Sequence, residues 1–428
     1  MDLRESVEAL WRIEAPQLIA TLARRIGSLD IAEDLASEAF VAALEQWPAD
    51  GIPPKPGAWL MKTAWHKAID RARREETARK KAPLLVAGHE GELADVADEA
   101  LDPIPDDLLT MVFTTCHPVL SPESRVALTL RLFGGLTTDE VARAFLVPTA
   151  TIGQRISRAK RTLAEARVPI EAPSAEELPE RLRAVLDVLY AIFNEGYSAS
   201  SGTDLVRADL ALEAMRMGRV LAGLAPTQPE VFGLVALMEL QASRFRTRVD
   251  DAGIPVQLED QDRRLWDRTL IEHGLSMLDR AFDLARPLGV FSLQAAISAC
   301  HARAATFAVT DWVAILALYD ALTQITRSPV VELNRAVAVL HVDGPEAALA
   351  TTQPLLADRR MSGYHLLGAV RGHILILLGR HTEAAVELER AAALAPTKQE
   401  RQLLLSRMAQ ALATRNDPAL PKLRRSDK

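Results

Sequence analysis

Apolar residues recur every three or four positions along most of the chain, a spacing typical of amphipathic α-helices. Near the N-terminus this pattern predicts helices over Leu10–Ile26, Ile31–Trp47 and Trp59–Arg74. The segment Pro48–Gly57 holds four prolines and two glycines, so a loop is expected there. The first 80 residues should therefore form a small helical bundle.

A second pattern, between positions 136 and 163, predicts two short helices joined by a tight turn. Thr137 and Glu140 have capping-box spacing, which favours a helix start. Pro148 ends that helix, and Thr149 or Thr151 is expected to cap the next one. One face of the second helix is apolar and consists of Ile152, Ile156, Ala159 and Leu163. Its other face carries hydrogen-bond donors, namely Thr151, Gln154, Arg155, Arg158 and Arg161.

This helix pair has what a DNA-binding helix-turn-helix needs. An apolar back packs on the partner helix, while donors on the front reach base edges and phosphates in the major groove. An ordinary solvated pair of amphipathic helices gives the same pattern, so both interpretations stay open for this segment alone.

The helix predicted at 59–74 is strongly basic and contains two tryptophans. From Lys62 to Lys81 there are eight basic and three acidic residues, whereas Pro83–Leu120 has eight acidic residues and no Lys or Arg. Trp59 and Trp65 beside cations suit single-stranded or melted DNA, because bases stack on aromatic rings. The alternative is that both tryptophans anchor the core beneath a solvated charged face.

Beyond position 180 the pattern predicts helix after helix. One unit matches the tetratricopeptide (TPR) pattern, in which small residues let two helices approach and a proline ends the second; its residues are Gly372, Gly379, Ala384, Leu388, Ala391 and Pro396. We therefore expect an all-α protein whose residues 180–415 form an α-solenoid of TPR-like hairpins.

Composition narrows the possible functions. Apolar residues make up 49% of the 428 positions and aromatic residues 5%, which favours helices packed on helices. The net charge of −7 argues against a generic nucleic-acid binder, although basic patches stand beside an acidic linker. Two cysteines give no disulfide framework, and adjacent Cys116-His117 and Cys300-His301 pairs are poorly placed for zinc, so no metal is expected.

The order of these segments carries a resemblance. An acidic helix (LDIAEDLASEAFVAALEQWP), a basic tryptophan-containing helix (PGAWLMKTAWHKAIDRARRE) and the helix-turn-helix (SPESRVALTLRLFGGLTTDEVARAFLVPTATIGQRISRAKRTL) follow one another within 170 residues. Residues 1–167 thereby resemble the sigma-70 family of RNA polymerase sigma factors, in its extracytoplasmic-function (ECF) subfamily. The three segments match regions 2.1–2.2, 2.3–2.4 and 4 of that family.

The resemblance implies a role for each segment. Docking on core RNA polymerase would fall to Glu33, Asp34, Leu35 and Glu38. Recognition and opening of the −10 promoter element would fall to Trp59, Lys62, Thr63, His66, Lys67, Arg71 and Arg74. Duplex recognition of the −35 element would fall to Thr149, Thr151, Gln154, Arg155, Arg158, Lys160 and Arg161. The acidic linker would either mimic nucleic acid in the polymerase cleft or act as a solvated spacer.

The long extension resembles that of one ECF group, ECF42, in which a TPR-like domain follows region 4. The resemblance rests on YAIFNEGYSASSG, DLALEAMRMGRVL and LNRAVAVLHVDGP. It implies that the extension regulates sigma activity, with a surface toward the sigma domains formed by Tyr190, Phe193, Asn194, Glu195 and Tyr197. The alternative is that Tyr190 and Phe193 are core residues and that 194–196 is a helix end.

The expected domains are region 2 at 1–80, a linker at 81–107, region 4 at 108–168, a second linker at 169–179, the TPR-like domain at 180–415 and a tail at 416–428. We expect a cytoplasmic, non-enzymatic protein without cofactors or a membrane segment. Its expected partners are core RNA polymerase, promoter DNA, and a regulatory protein or peptide on the solenoid. The competing hypothesis is a stand-alone helix-turn-helix regulator whose solenoid senses a ligand or peptide.

Overall fold

The computed structural model describes residues 3–81, 105–145, 147–197, 208–250, 255–284, 287–395 and 397–416. Within these ranges the protein is all-α, as predicted, with short 3₁₀ turns and one isolated β-bridge. The helices are α1 Leu3–Ile26, α2 Leu29–Asp50, α3 Pro56–Lys81, α4 Pro105–Thr115, α5 Pro122–Leu132, α6 Thr138–Phe145, α7 Thr149–Glu165, α8 Leu178–Tyr197, α9 Ala208–Leu224, α10 Pro229–Ala242, α11 Arg268–Leu284, α12 Val290–Arg303, α13 Trp312–Thr326, α14 Pro329–Val342, α15 Pro345–Thr352, α16 His365–Leu377, α17 His381–Leu394 and α18 Lys398–Asn416. They form two compact units, 1–192 and 193–428, so the boundary lies inside α8.

Helices α1, α2 and α3 form the predicted bundle. Ser28 caps α2 by accepting a hydrogen bond from the Ile31 amide, and Gly27 turns the chain with φ of 73°. Helix α2 continues through Pro48 and ends at Asp50, with Gly51 as its C-cap, so the loop is shorter than the proline and glycine content predicts. Most of the acidic linker, 82–104, lies outside the described residues, and α4 already begins at Pro105.

Helices α4 to α7 contain the predicted helix-turn-helix. The capping box is confirmed: the Glu140 amide donates to the Thr137 hydroxyl over 3.2 Å, and the Thr137 amide donates to the Glu140 carboxylate over 2.8 Å. The expected threonine cap on α7 is wrong, because α7 begins after Pro148 without a side-chain cap and Thr149 donates to Asp139 instead. The apolar stripe of α7 is buried as predicted. The start of α8 packs in this unit too, where Arg181 donates to the Phe113 carbonyl.

The second unit is a succession of helices in which neighbours along the chain pack together. Close approach depends on glycine at defined points: a Cβ on Gly372 would lie 2.7 Å from the Leu388 side chain between α16 and α17. Gly379 turns the chain between these two helices with φ of 72°. Pro396 of the TPR pattern lies outside the described residues. Among the helices described, none is long and apolar enough to cross a bilayer.

Candidate nucleic-acid interface

The outward face of α7 presents polar and cationic side chains that can donate hydrogen bonds. Thr151, Gln154, Arg158 and Arg161 are exposed, while Arg155 is half-buried at the edge of the same face. Directly behind them, Ile152 and Ala159 are at most 1% exposed and fix the helix against α5 and α6. A rigid helix with a row of exposed arginines suits phosphate and base contacts in a groove.

Lys160 lies away from that face. It follows Ile156 by four residues, so helical geometry turns its side chain toward the inner side of α7. Its Nζ lies 2.5 Å from Glu33 Oε2 and 2.8 Å from Asp30 Oδ1, and its side chain is 11% exposed. Burial alone would lower the pKa of Lys160, but attraction to Glu33 and hydrogen bonds to both carboxylates raise it. The assignment of Lys160 to the −35 set therefore does not fit the structure.

Helix α3 presents the predicted −10 residues. Lys62, His66 and Arg74 are exposed, whereas Thr63, Lys67 and Arg71 are partly buried. Trp65 is in the core, under the Arg25 guanidinium, which lies 5.5 Å from its ring. Trp59 is partly exposed, and its ring lies 5.3 Å from that of Trp47. Only one of the two tryptophans therefore offers a surface on which a base could stack.

The acidic face of α2 borders this basic helix. Asp34 and Glu38 have side chains 66% and 52% exposed. Glu38 lies 3.5 Å from Lys67 and Asp34 lies 3.8 Å from Arg71, so both ion pairs are long and solvated. Pairs of this kind contribute about 0.2–1 kcal/mol and are readily exchanged for another partner.

The other two proposed docking residues are placed differently. Leu35 is 1% exposed and belongs to the core, so its side chain contributes to packing and not to a surface contact. Glu33 is 9% exposed and accepts hydrogen bonds from two cations of the region 4 segment. Arg131 Nε donates to Glu33 Oε1 over 2.6 Å, and Lys160 donates to Oε2.

Sequence reasoning missed Arg131, which joins three partners. Besides Glu33, it donates to the Leu136 carbonyl over 3.0 Å, and its guanidinium lies 5.6 Å from the Trp11 ring. A lone arginine in an amphipathic helix carries no signal of a partner 98 residues away, so the spacing of apolar residues could not have found it.

The motif near the end of α8 is mostly packed inside its own unit. Phe193 is fully buried and stacks on Tyr197 with ring centres 5.6 Å apart. The Arg248 guanidinium lies 3.6 Å from the centre of the Tyr197 ring. Glu195 is partly buried and Asn194 is exposed, while Tyr190 is partly buried in the first unit. The helix ends at Tyr197, so residues 194–196 form its last turn, as the alternative interpretation predicts.

The Cys-His pairs have ordinary structural surroundings. Burial raises the pKa of Cys116 to about 11, although hydrogen bonds to Thr129 and Thr115 oppose this. Burial, together with Arg244, Arg263 and His341, lowers the pKa of His301 to about 3. Within the described part of the chain, no three Cys, His, Asp or Glu side chains are grouped to hold a metal ion.

Three family models match parts of the chain. Sigma-70 region 2 matches residues 10–77, Sigma-70 region 4 matches 110–163, and a family of unknown function (DUF6596) matches 181–282. No solved structure matches.

Two relatives bear on the identity of the chain. The uncharacterized protein R00370 of Rhizobium meliloti is 46% identical over 389 residues, which are 90% of this chain and 91% of that protein. A probable ECF RNA polymerase sigma factor, SigI of Mycobacterium tuberculosis, is 25% identical over 177 residues, which are 41% of this chain and 60% of that protein. The chain belongs to one family with the Rhizobium protein.

Proposed function

We propose that this chain, which belongs to the sigma-70 family, binds core RNA polymerase and directs it to specific promoters as an ECF-type sigma factor. The observation that carries the proposal is the pairing of two surfaces in one unit. Helix α7 exposes arginines over a buried stripe, and α3 exposes cations beside Trp59. A stand-alone helix-turn-helix regulator has no need for the basic surface of α3 beside Trp59.

The chemistry of each surface suits its part in initiation. Exposed Arg158 and Arg161 would bind phosphates of the −35 duplex, while Gln154 and Arg155 would reach base edges. On α3, Lys62, His66 and Arg74 would hold the melted −10 strand, with Trp59 as a stacking surface. Asp34 and Glu38 would exchange their long ion pairs for a basic polymerase surface.

We propose further that the second unit regulates this activity, as the extension of the ECF42 group would. The unit has apolar cores of its own, for example around Leu322 and around Leu388. Stacked helical hairpins of this kind offer extended surfaces for a peptide or protein. The second unit would therefore act as a peptide- or protein-binding domain on the same chain as the sigma regions.

Run-off transcription tests the proposed function. Purified core RNA polymerase is supplied with the full chain and the promoter upstream of its own gene. We expect specific transcripts, at least tenfold fewer with the Arg158→Ala/Arg161→Ala variant, because each lost phosphate contact weakens binding at physiological salt. The matched control is Arg268→Ala/Arg303→Ala, which removes two exposed arginines from the second unit and should leave transcription unchanged.

Two outcomes would contradict the proposal in different ways. If no transcript forms while the chain alone shifts promoter DNA, the stand-alone regulator takes its place. If a chain ended after Tyr197, which keeps α8 whole, gives the same transcript level as the full chain, the second unit has no regulatory role. More transcript would mean inhibition by the unit, and less would mean that it is required.

A further inference from the structure

We propose that the second unit binds a small amphipathic anion, a carboxylate or phosphate on an apolar body, in a cleft between α9, α10 and α11. The cleft has a volume of about 370 Å³, which is within the usual range for small-molecule sites. Its polar wall is formed by Arg219, His273 and Arg280, and its apolar wall includes Phe232, Val235 and Met277. The inference deepens the proposed regulation and rests on it only for the effect of the ligand on transcription.

Arg280 is the charged group of the cleft that lacks a counter-ion. Its guanidinium lies 4.4 Å from the centre of the Phe232 ring, and no carboxylate of the described residues pairs with it. Contact with an aromatic ring leaves the planar set of N–H donors of an arginine free to bind a carboxylate or phosphate. Arg280 therefore offers an unneutralised positive charge beside an apolar surface.

The other two basic side chains are anchored by Glu239, which is fully buried on α10. Arg219 donates to Glu239 Oε1 over 2.7 Å from both Nε and Nη2, and His273 Nδ1 lies 2.5 Å from Oε2. Arg219 Nη1 and His273 Nε2 take no part in these bonds and remain for a ligand. Because Glu239 already fixes both side chains, little conformational entropy would be lost when a ligand binds them.

The cleft has open space at Gly223, in the last turn of α9. A Cβ on Gly223 would meet nothing within 4 Å. Elsewhere the same helices are closely packed: a Cβ on Gly218 would lie 2.7 Å from the Met238 side chain, and a Cβ on Gly274 would lie 3.0 Å from Leu240. The space at Gly223 is thus a local feature of the cleft, and a side chain added there would enter it.

The walls of the cleft determine the class of ligand. Among the described residues that line it, every charged side chain is basic, so a carboxylate or phosphate is favoured over a cation. The apolar wall would bury a hydrocarbon or ring attached to that group, which an inorganic ion lacks. The volume suits a small molecule and excludes a folded partner.

Binding is measured on the full chain without polymerase or DNA, using phenyl phosphate, phenylacetate, inorganic phosphate and benzyl alcohol as probes. The nine methionines are labelled at their methyl groups for nuclear magnetic resonance, and Met277→Leu assigns the Met277 signal, which reports on the cleft. The two phenyl anions should shift this signal saturably and bind roughly tenfold more tightly than the other two probes, because only they join a charge to an apolar body. The tighter anion identifies the preferred headgroup.

Two variants test the site by different means. Arg280→Gln removes the unpaired charge and should weaken binding of the phenyl anions roughly tenfold, whereas Arg268→Gln, an exposed arginine of the same helix, should leave binding unchanged. Gly223→Leu fills the cleft without changing its charge and should abolish the Met277 shift. Its control is Gly363→Leu, at another glycine with open space, which should bind like the parent.

Three results would overturn the site. The first is no Met277 shift with either phenyl anion in the parent chain. The second is equal binding by the parent and Gly223→Leu, provided that their urea unfolding curves show both to be folded. The third is inorganic phosphate bound as tightly as phenyl phosphate, since the apolar wall would then contribute nothing.

Run-off transcription separates this inference from the proposed function. If the second unit regulates a sigma factor, the tighter phenyl anion at saturation should change the transcript level of the parent about fivefold or more and leave that of Gly223→Leu unaffected. Binding of the probe with no transcript from any protein would leave the site standing and refute the sigma assignment. Equal transcript levels with and without bound probe would refute the regulatory role of the site.

Discussion

Replacing Gly196 by alanine should destabilise the second unit, although alanine is the better helix former. Gly196 lies in the last turn of α8, where the backbone of α9 passes very close. A Cβ at this position would lie 2.8 Å from the Ala211 Cβ, 2.9 Å from its Cα, and closer still to its backbone nitrogen. Ordinary van der Waals contacts of a Cβ begin near 3.4 Å, so two helix backbones would have to separate.

The magnitude follows from two opposing effects. Overpacking against atoms that cannot rotate away costs up to about 3 kcal/mol, and the gain in helix propensity returns about 1 kcal/mol. The free energy of unfolding should therefore fall by about 2 kcal/mol, which lowers the melting temperature of a unit of this size by roughly 4–8 °C.

Gly223 provides the matched control for this substitution. It is also a helical glycine of the second unit, but a Cβ there would meet nothing within 4 Å. Gly223→Ala should therefore raise stability by about 0.5–1 kcal/mol. The assay is thermal unfolding followed by near-ultraviolet circular dichroism, to which Trp266 and Trp312 of this unit contribute. A Gly196→Ala protein as stable as the parent would refute the close approach of α8 and α9.

Three further predictions concern buried groups. Cys116, whose pKa burial raises to about 11, should react with a thiol reagent at pH 8 far more slowly than a peptide thiol until the protein is unfolded by denaturant; rapid native labelling would contradict its burial. His301 stays neutral in the folded protein because burial lowers its pKa to about 3. In the unfolded chain His301 is protonated below about pH 6.5, so the free energy of unfolding should fall as the pH drops from about 6.5 toward 3. His301→Gln should flatten that dependence in urea titrations, and an unchanged slope would show that His301 is not the group responsible. Changing Glu239, which is fully buried between Arg219 and His273, to Gln should lower the free energy of unfolding by about 1–2 kcal/mol, since both partner side chains are 46% exposed and regain water; no loss of urea resistance would mean that this carboxylate is not a structural anchor.

Much of the fold could be predicted from local pattern. The Ser28 and Thr137 caps, and the stripe from Ile152 to Leu163, follow from neighbours three and four residues apart, which a helix always brings together. The exposed arginines of α7 follow from the same periodicity, because a buried stripe defines the opposite face. Lys160 belonged to neither face in that pattern, and only the resemblance assigned it to DNA.

The rest depends on partners far apart in the chain. Glu33 looks like one more acidic position on a solvated face until Arg131 and Lys160, 98 and 127 residues away, are brought against it. Leu35 shows the reverse case, since a family motif attributes to a surface what the packing of α2 places in the core. The helical content of 180–415 could be predicted, but the approach of Gly196 to Ala211 could not, because tertiary packing determines it.

The central claim is that the chain associates with core RNA polymerase, and a direct binding measurement tests it. The full chain, labelled at a cysteine introduced at the exposed position Asp283 in a Cys300→Ser background, is titrated with purified core enzyme and followed by fluorescence anisotropy. We expect saturable binding that Asp34→Lys/Glu38→Lys abolishes, whereas the control Asp279→Lys/Glu389→Lys, with two exposed carboxylates of the second unit reversed, binds like the parent. Failure of the parent chain to bind core would contradict the sigma-factor account, and equal binding by all three proteins would contradict the docking role of α2.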